Sequence, residues 1–168
     1  MQKVAQETEA KWNTTFMSLS TLSPKNITYG ALQGSNAYIN AQVTKNNKEA
    51  VVETQTIIAG LTQAEDELQQ LREQARQTVG QRDLAKINAE IDAVTARINS
   101  FNSKLTAIQV TNQNIESQAR QQQEANRTEY NFAAAKRLSE TVTNMKSSIE
   151  ESPTRYESRA EYMKSKWK

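Results

Sequence analysis

The chain has 168 residues, with 21 lysines and arginines against 19 acidic residues and a formal net charge of +2. That weak charge argues against a dedicated nucleic-acid binder, which concentrates more positive charge. The chain contains no histidine and no cysteine, which excludes thiolate and histidine-based catalysis and the usual zinc ligands. We therefore expect no enzymatic activity, no cofactor and no metal. An enzyme built on carboxylates or lysine is a distant alternative.

The composition favours long helices over a thick globular core. Hydrophobic residues make up 36% of the chain, with four glycines and two prolines, and the mean hydropathy is −0.79. The length suits one domain. We predict a single all-α domain over residues 1–168, an elongated antiparallel helical hairpin or three-helix bundle with one irregular loop segment.

The first predicted element is an N-terminal helix over residues 1–17. Its apolar face carries Val4, Thr8, Trp12 and Phe16 at helical spacing. We expect Trp12 and Phe16 to pack near Tyr130, Phe132 and Leu138 as part of the core.

Residues 18–35 form the one predicted loop. Pro24, Gly30 and Gly34 interrupt this stretch, which favours irregular backbone. Such a loop either recognises a partner or merely connects two helices. If it recognises a partner, the candidate contacts are Lys25, Ile27 and Tyr29, which we expect to be exposed.

Two heptad patterns predict a pair of long helices, the arms of a hairpin. The first arm, residues 36–78, carries Val43, Asn47, Ala50, Thr54, Ile57, Leu61, Ala64, Leu68, Leu71 and Ala75. The second arm, residues 83–151, begins with Leu84, Ile87, Ile91, Val94, Ile98, Phe101, Leu105, Ile108, Asn112, Ile115 and Ala119.

The two patterns are out of phase by two residues, which predicts a turn. A straight helix would bury opposite sides before and after Gly80, because two residues rotate the apolar face by about 200°. We expect Gly80 to adopt a left-handed backbone at a helix end and Asp83 to cap the next helix.

The hairpin also predicts a register, since each step back along the first arm matches a step forward along the second. It places Ala75 opposite Leu84, Leu68 opposite Ile91, Ala64 opposite Val94 and Ala50 opposite Ile108. It also brings Asn47 opposite Asn112, the polar residue of the second seam. We interpret these two asparagines as a buried amide pair that fixes the register at a cost in stability.

The second arm continues without a helix breaker as far as Glu151, but its apolar face changes side. The later apolar residues are Ala135, Leu138, Val142, Met145 and Ile149. This face therefore needs a different partner from the first arm, and the N-terminal segment is the expected one.

A short last helix is predicted over residues 153–167, with Ser152 as its N-cap and Pro153 in its first turn. One face carries Tyr156, Ala160, Met163 and Trp167. Tyr156 and Trp167 are further candidate partner contacts. The tail is mildly basic and aromatic, so binding to an anionic membrane surface is an alternative role.

The beginning of the chain lacks the apolar segment of a signal peptide. We therefore expect either a cytosolic protein or an exported protein whose signal peptide has been removed from this sequence.

The stretch from Gln55 to about Arg127 resembles the minor pilus subunit family of bacterial type IV secretion and conjugation systems. The residues that carry the resemblance are "LTQAEDELQQLREQ", "GQRDLAKINAEIDAVTARINSFNSKLTAIQ" and the glutamine-rich "NQNIESQARQQQEANR". Within them, Asp83-Leu84 with Lys86 matches the family's break between helices, and Ala96-Arg97-Ile98 matches a step of its second helix.

The resemblance implies a periplasmic or extracellular protein, exported by a signal peptide that this chain lacks. It implies a place at the pilus tip or the assembly stalk, with pilin, other secretion-system subunits and a recipient-cell surface as partners. The family fold is an elongated three-helix bundle with a small appendage between its first two long helices, and the loop over residues 18–34 is short for that appendage.

We therefore expect a non-enzymatic minor component of a type IV secretion or conjugative pilus that acts by protein–protein contact. The main alternative is a cytosolic coiled-coil scaffold or holdase-like oligomer. Such a protein would self-associate through apolar residues outside the seam, such as Val51 and Ile58. Homo-oligomer formation is open in either case.

Overall fold

The computed structural model describes residues 2–151 and Lys164. It contains three α-helices, α1 (Gln2–Lys11), α2 (Tyr29–Gln77) and α3 (Gln81–Glu151), and two 3₁₀ turns at Leu19–Thr21 and Pro24–Asn26. The described residues include no β-strand, which confirms the all-α fold class. The helix predicted over residues 153–167, with Tyr156 and Trp167, lies outside the described residues.

The chain divides into two compact units. Unit 1 comprises Met1–Met17 and Asn36–Gln123, so it contains α1, most of α2 and the first part of α3. Unit 2 comprises Ser18–Ser35 and the described residues from Glu124 onward.

In unit 1, α2 and α3 form an antiparallel hairpin around two apolar clusters. One cluster, near the turn, buries Ala64, Leu71 and Val94 with Leu68, Ile91, Ile98 and Phe101 around them. The other buries Trp12, Ala50, Ile57, Ile108 and Ile115. Three of the predicted opposing pairs share a cluster: Leu68 with Ile91, Ala64 with Val94, and Ala50 with Ile108. On the hairpin surface, Arg97 of α3 pairs with Glu67 of α2.

The turn between α2 and α3 lies where the heptad shift places it, but its detailed geometry differs from the prediction. No glycine among the described residues has a positive φ, so the expected left-handed Gly80 is wrong. Gly80 instead precedes α3, and its carbonyl accepts a hydrogen bond from Leu84 N at 2.9 Å. Asp83 lies inside the first turn of α3, where its charge favours the positive end of the helix dipole, and is not the N-cap.

The predicted amide pair is also wrong in its hydrogen bonding. Asn47 Nδ2 donates to Glu116 Oε1 at 3.4 Å. The Oδ1 atoms of Asn47 and Asn112 are buried, and neither accepts a hydrogen bond from the described residues. Both side chains line one groove of the hairpin, but a third polar side chain, that of Glu116, competes for the amide.

The N-terminal helix ends at Lys11 rather than at residue 17. Thr14 Oγ1 donates to Trp12 O at 3.2 Å and accepts from Asn46 Nδ2 at 2.6 Å. Such bonds from a threonine side chain compete with helical backbone bonds, which explains the early end. Trp12 is buried and Phe16 packs beside it in unit 1, so their predicted place near Tyr130 is wrong.

The loop in the structure is shorter than the predicted loop, because α2 begins at Tyr29 and not at residue 36. Thr28 acts as the N-cap: its Oγ1 accepts from Ala31 N at 3.1 Å and its carbonyl accepts from Leu32 N at 3.0 Å. A threonine N-cap contributes about 1 kcal/mol to the helix start, which offsets part of the cost of the two glycines that follow it. Gly30 and Gly34 lie within α2.

Candidate functional site

The loop of unit 2, residues 18–28, is held by one buried side chain of α3. Asn126 is 0% exposed; its Oδ1 accepts from Leu19 N at 3.0 Å and its Nδ2 donates to Ser35 Oγ at 2.8 Å. A buried amide with partners on both sides fixes the backbone it contacts, because breaking either bond leaves a buried polar group unpaired. Asn126 thus links the start of the loop to the start of α2.

An apolar cluster lies beneath the same loop. It buries Leu19, Ile27, Leu32 and Ala133, with Leu22, Ala31 and Tyr130 around them. The two 3₁₀ turns direct Leu19 and Ile27 inward, on either side of Pro24. Ile27 is 4% exposed, so its predicted role as an exposed partner contact is wrong. It is a core residue that fastens the loop.

The two remaining candidates of this region are Lys25 on the loop and Tyr29, the first residue of α2. Lys25 is exposed, and Tyr29 is 59% exposed. The Tyr29 ring lies 6.1 Å from the ring of Tyr130 with an interplanar angle of 58°, an arrangement typical of interacting aromatic pairs. We call Lys25, Tyr29 and Tyr130 the loop platform. An exposed tyrosine beside a fastened loop is of the residue type enriched at protein interfaces.

A second surface lies on the outside of the hairpin in unit 1. Its exposed apolar residues are Val51 and Ile58. Val51 and Ile58 line the groove that also contains Asn47 and Asn112. These valine and isoleucine side chains lie outside the seam, as the alternative of a self-associating scaffold requires.

A third surface is the groove between α1 and the hairpin, ≈ 760 Å³ in volume and lined by Val4, Trp12, Val52 and Ile57 among others. The α1 helix buries no residue completely, and its end is held by the ion pair between Lys11 and Glu53. The buried Trp12 Nε1 has no hydrogen-bond partner among the residues that the structure describes. The charges around this groove are mixed, so it shows no preference for a charged ligand.

The last part of α3 presents an apolar face that no described residue covers. Its members, here called the α3 stripe, are Leu138, Val142, Met145 and Ile149, which are 52–66% exposed. The N-terminal segment does not cover them, because Trp12 and Phe16 pack in unit 1. The expectation that it would is therefore wrong.

Within residues 2–151 no three His, Cys, Asp or Glu side chains come close enough together to hold a metal ion. No described helix has an apolar stretch of the length and hydropathy needed to cross a membrane.

Asn126 is the important residue that sequence reasoning missed. It lies on the continuation of the second-arm heptad, seven residues after Ala119. Its heptad position could have indicated this role, because a buried asparagine at such a position usually makes specific hydrogen bonds.

Comparison with known proteins gives no match to a family model, to a curated protein or to a solved structure.

Proposed function

We propose that this protein acts without catalysis, by protein–protein contact, as a minor component of a type IV secretion or conjugative pilus. The observation that carries the contact role is the loop platform, where Asn126 and Ile27 fasten a loop that exposes Lys25 and leads into the exposed Tyr29. The setting rests on the resemblance of residues 55–127 to the minor pilus subunit family.

In this proposal the hairpin of unit 1 is the scaffold and the loop platform is the contact surface. The partners are pilin and other secretion-system subunits at the pilus tip or the assembly stalk, together with a recipient-cell surface. Nucleic acid is not a partner. In this proposal the protein acts in the periplasm or on the extracellular pilus.

Localisation tests the setting. Cells that express the protein naturally would be separated into cytoplasm, periplasm and sheared surface filaments, with a marker protein for each fraction. We expect the protein in the periplasm and in the filaments. Its restriction to the cytoplasm, with correctly separated markers, would discard the pilus setting.

Site-specific photo-crosslinking tests the contact surface. A photoreactive residue at position 29 is expected to give an adduct with a secretion-system subunit that mass spectrometry identifies. The matched control carries the same group in place of Tyr38, an exposed tyrosine of unit 1. Lys25→Glu should weaken the adduct at position 29, whereas Lys48→Glu, at an exposed lysine of unit 1, should leave it unchanged.

A cytosolic scaffold or holdase-like oligomer is the second candidate, and the exposure of Val51 and Ile58 favours it. In that case the purified protein would form oligomers that Val51→Asp with Ile58→Asp disrupts, as light scattering after size-exclusion chromatography would show. A protein that stays monomeric at all concentrations would remove this candidate.

A further inference from the structure

The groove between α1 and the hairpin has the size and the lining of a small-molecule site. Its volume is ≈ 760 Å³, and ligand pockets typically measure about 300–1,000 Å³. Apolar side chains of all three helices line it, namely Val4 of α1, Val52 and Ile57 of α2, and Ile108 of α3. Every lining residue belongs to unit 1. The groove is therefore a candidate binding site within one compact unit.

The polar and charged residues of the groove favour an uncharged ligand. Its two threonines donate their hydroxyl protons to backbone carbonyls of their own helices. Its charged residues are three lysines and three glutamates, so their formal charges cancel. One of the lysines, Lys11, is paired with Glu53. Because neither sign of charge is in excess, the groove offers no electrostatic advantage to an anion or a cation.

One polar group of the groove lacks a partner. Trp12 lines the groove and is 2% exposed. Its Nε1 is buried and has no hydrogen-bond partner among the described residues. An indole N–H is a donor only, and it is usually hydrogen-bonded when the ring is buried, because an unpaired buried donor costs stability. The missing partner is therefore an acceptor, which a ligand oxygen can supply.

The wall that α1 forms can yield to admit this acceptor. Nε1 of Trp12 is covered in this structure, so a ligand reaches it only if a neighbouring element shifts. The α1 helix has ten residues and buries none of them, and a helix of that length is not stable by itself. Its end is held by the partly exposed Lys11–Glu53 pair, and such surface pairs hold elements weakly. The α1 helix is therefore the part of unit 1 that shifts at the least cost.

We propose that this groove binds an uncharged, mainly apolar small molecule that carries a carbonyl or ether oxygen. The oxygen accepts a hydrogen bond from Trp12 Nε1, and the apolar body of the ligand lies against Val52 and Ile108. This site goes beyond the proposed function and does not depend on a pilus, since it uses no residue of the loop platform.

Benzophenone is the probe, because it is uncharged and apolar and carries one carbonyl. The matched control ligand is the corresponding alkene, in which a CH₂ group replaces the carbonyl oxygen. Equilibrium dialysis against the full-length protein measures both affinities. Benzophenone should bind about two- to tenfold more tightly than the alkene, which is the effect of one hydrogen bond. Trp12→Phe keeps an aromatic ring but removes the N–H, so the two ligands should then bind equally.

Two neighbouring valines of α2 provide matched variants that locate the site. Val52 lines the groove beside α1, whereas Val51 lines a different groove of the hairpin. Both side chains are exposed, so the fold should tolerate a glutamate at either position. Val52→Glu should weaken benzophenone binding by about tenfold, because it places a charge against an apolar ligand. Val51→Glu should leave the affinity unchanged.

Nuclear magnetic resonance of the indole proton tests the hydrogen bond itself. With Trp167→Phe, Trp12 is the remaining tryptophan. Benzophenone should move the signal of the Trp12 Nε1 proton downfield, and the alkene should not.

Three results would overturn the proposal. The first is a failure of the natural protein to bind benzophenone, or an equal affinity for the ketone and the alkene. The second is an equal weakening by Val52→Glu and Val51→Glu. The third is an indole proton signal that stays in place while benzophenone is bound.

Discussion

The hairpin seam and the α3 stripe are two parts of one helix with the same apolar periodicity and opposite surroundings. In the seam, Val94 is buried against Ala64 and Leu71 of α2. In the stripe, Val142 is 52% exposed. Periodicity shows which side of a helix is apolar. Whether that side is buried depends on which other segment of the chain packs against it.

The largest expected effect tests this difference directly. Val94→Asp places a charge in the seam without a partner and should lower the free energy of unfolding by about 3–5 kcal/mol. Val142→Asp makes the same change on the same helix but at an exposed position, where we expect at most about 0.5 kcal/mol. Urea denaturation followed by circular dichroism measures both.

The two valine variants are controls for each other, because both carry the same loss of volume and the same added charge. Similar losses in the two would mean that Val142 is as well covered as Val94. An unaffected Val94→Asp would contradict the register of the hairpin.

The second prediction concerns Asn126, the polar anchor that precedes the stripe. Asn126→Ala removes the acceptor of the Leu19 N–H and should cost about 2–3 kcal/mol of stability in unit 2, because a buried donor loses its partner. Hydrogen exchange at the Leu19 amide should accelerate accordingly. Asn131→Ala, at an exposed asparagine of the same helix, is the control and should change neither quantity. An equally protected Leu19 amide in Asn126→Ala would exclude the anchoring role.

The third prediction concerns the polar interruption of the seam. Asn112→Leu replaces a buried Oδ1 that has no hydrogen-bond partner among the described residues, and adds apolar contact with the groove. We expect stabilisation by about 1–2 kcal/mol. Asn114→Leu makes the same change at an exposed asparagine of the same helix and should give almost none. Thermal unfolding of the two variants, followed by circular dichroism, compares them. A loss of stability in Asn112→Leu would show that Asn112 has a structural partner after all.

The sequence predicted the hairpin well because its contacts follow from two long heptads and one short turn. The phase shift at Gly80 located the turn, and equal steps from it located Val94 opposite Ala64. The N-terminal segment was assigned wrongly because its position depends on a few non-local contacts. Trp12 joins Ile57 and Ile108 in unit 1 through one such contact set, and no periodicity encodes that choice.

The loop platform was predictable only in part. Lys25 and Tyr29 are exposed as expected, but Ile27 is a core residue. The short stretch before α2 has no repeating pattern that would separate inward from outward side chains. The N-cap at Thr28 acts only locally. The hydrogen bond from Leu19 N to Asn126 Oδ1 joins residues 107 positions apart in the chain, and no local pattern encodes it.

The smallest expected effects separate helix propensity from packing at two glycines of α2. Alanine is better than glycine inside a helix by about 0.5–1 kcal/mol. A Cβ at Gly34 would have no atom within 4 Å, so Gly34→Ala should gain that amount. A Cβ at Gly60 would lie 3.0 Å from Cζ of Phe101, whose ring packs against both clusters of the hairpin. Gly60→Ala should therefore lose the gain and destabilise by about 1 kcal/mol. Hydrogen exchange of amides in each unit measures the two effects separately, and an equal gain at both positions would mean that the Phe101 ring moves aside freely.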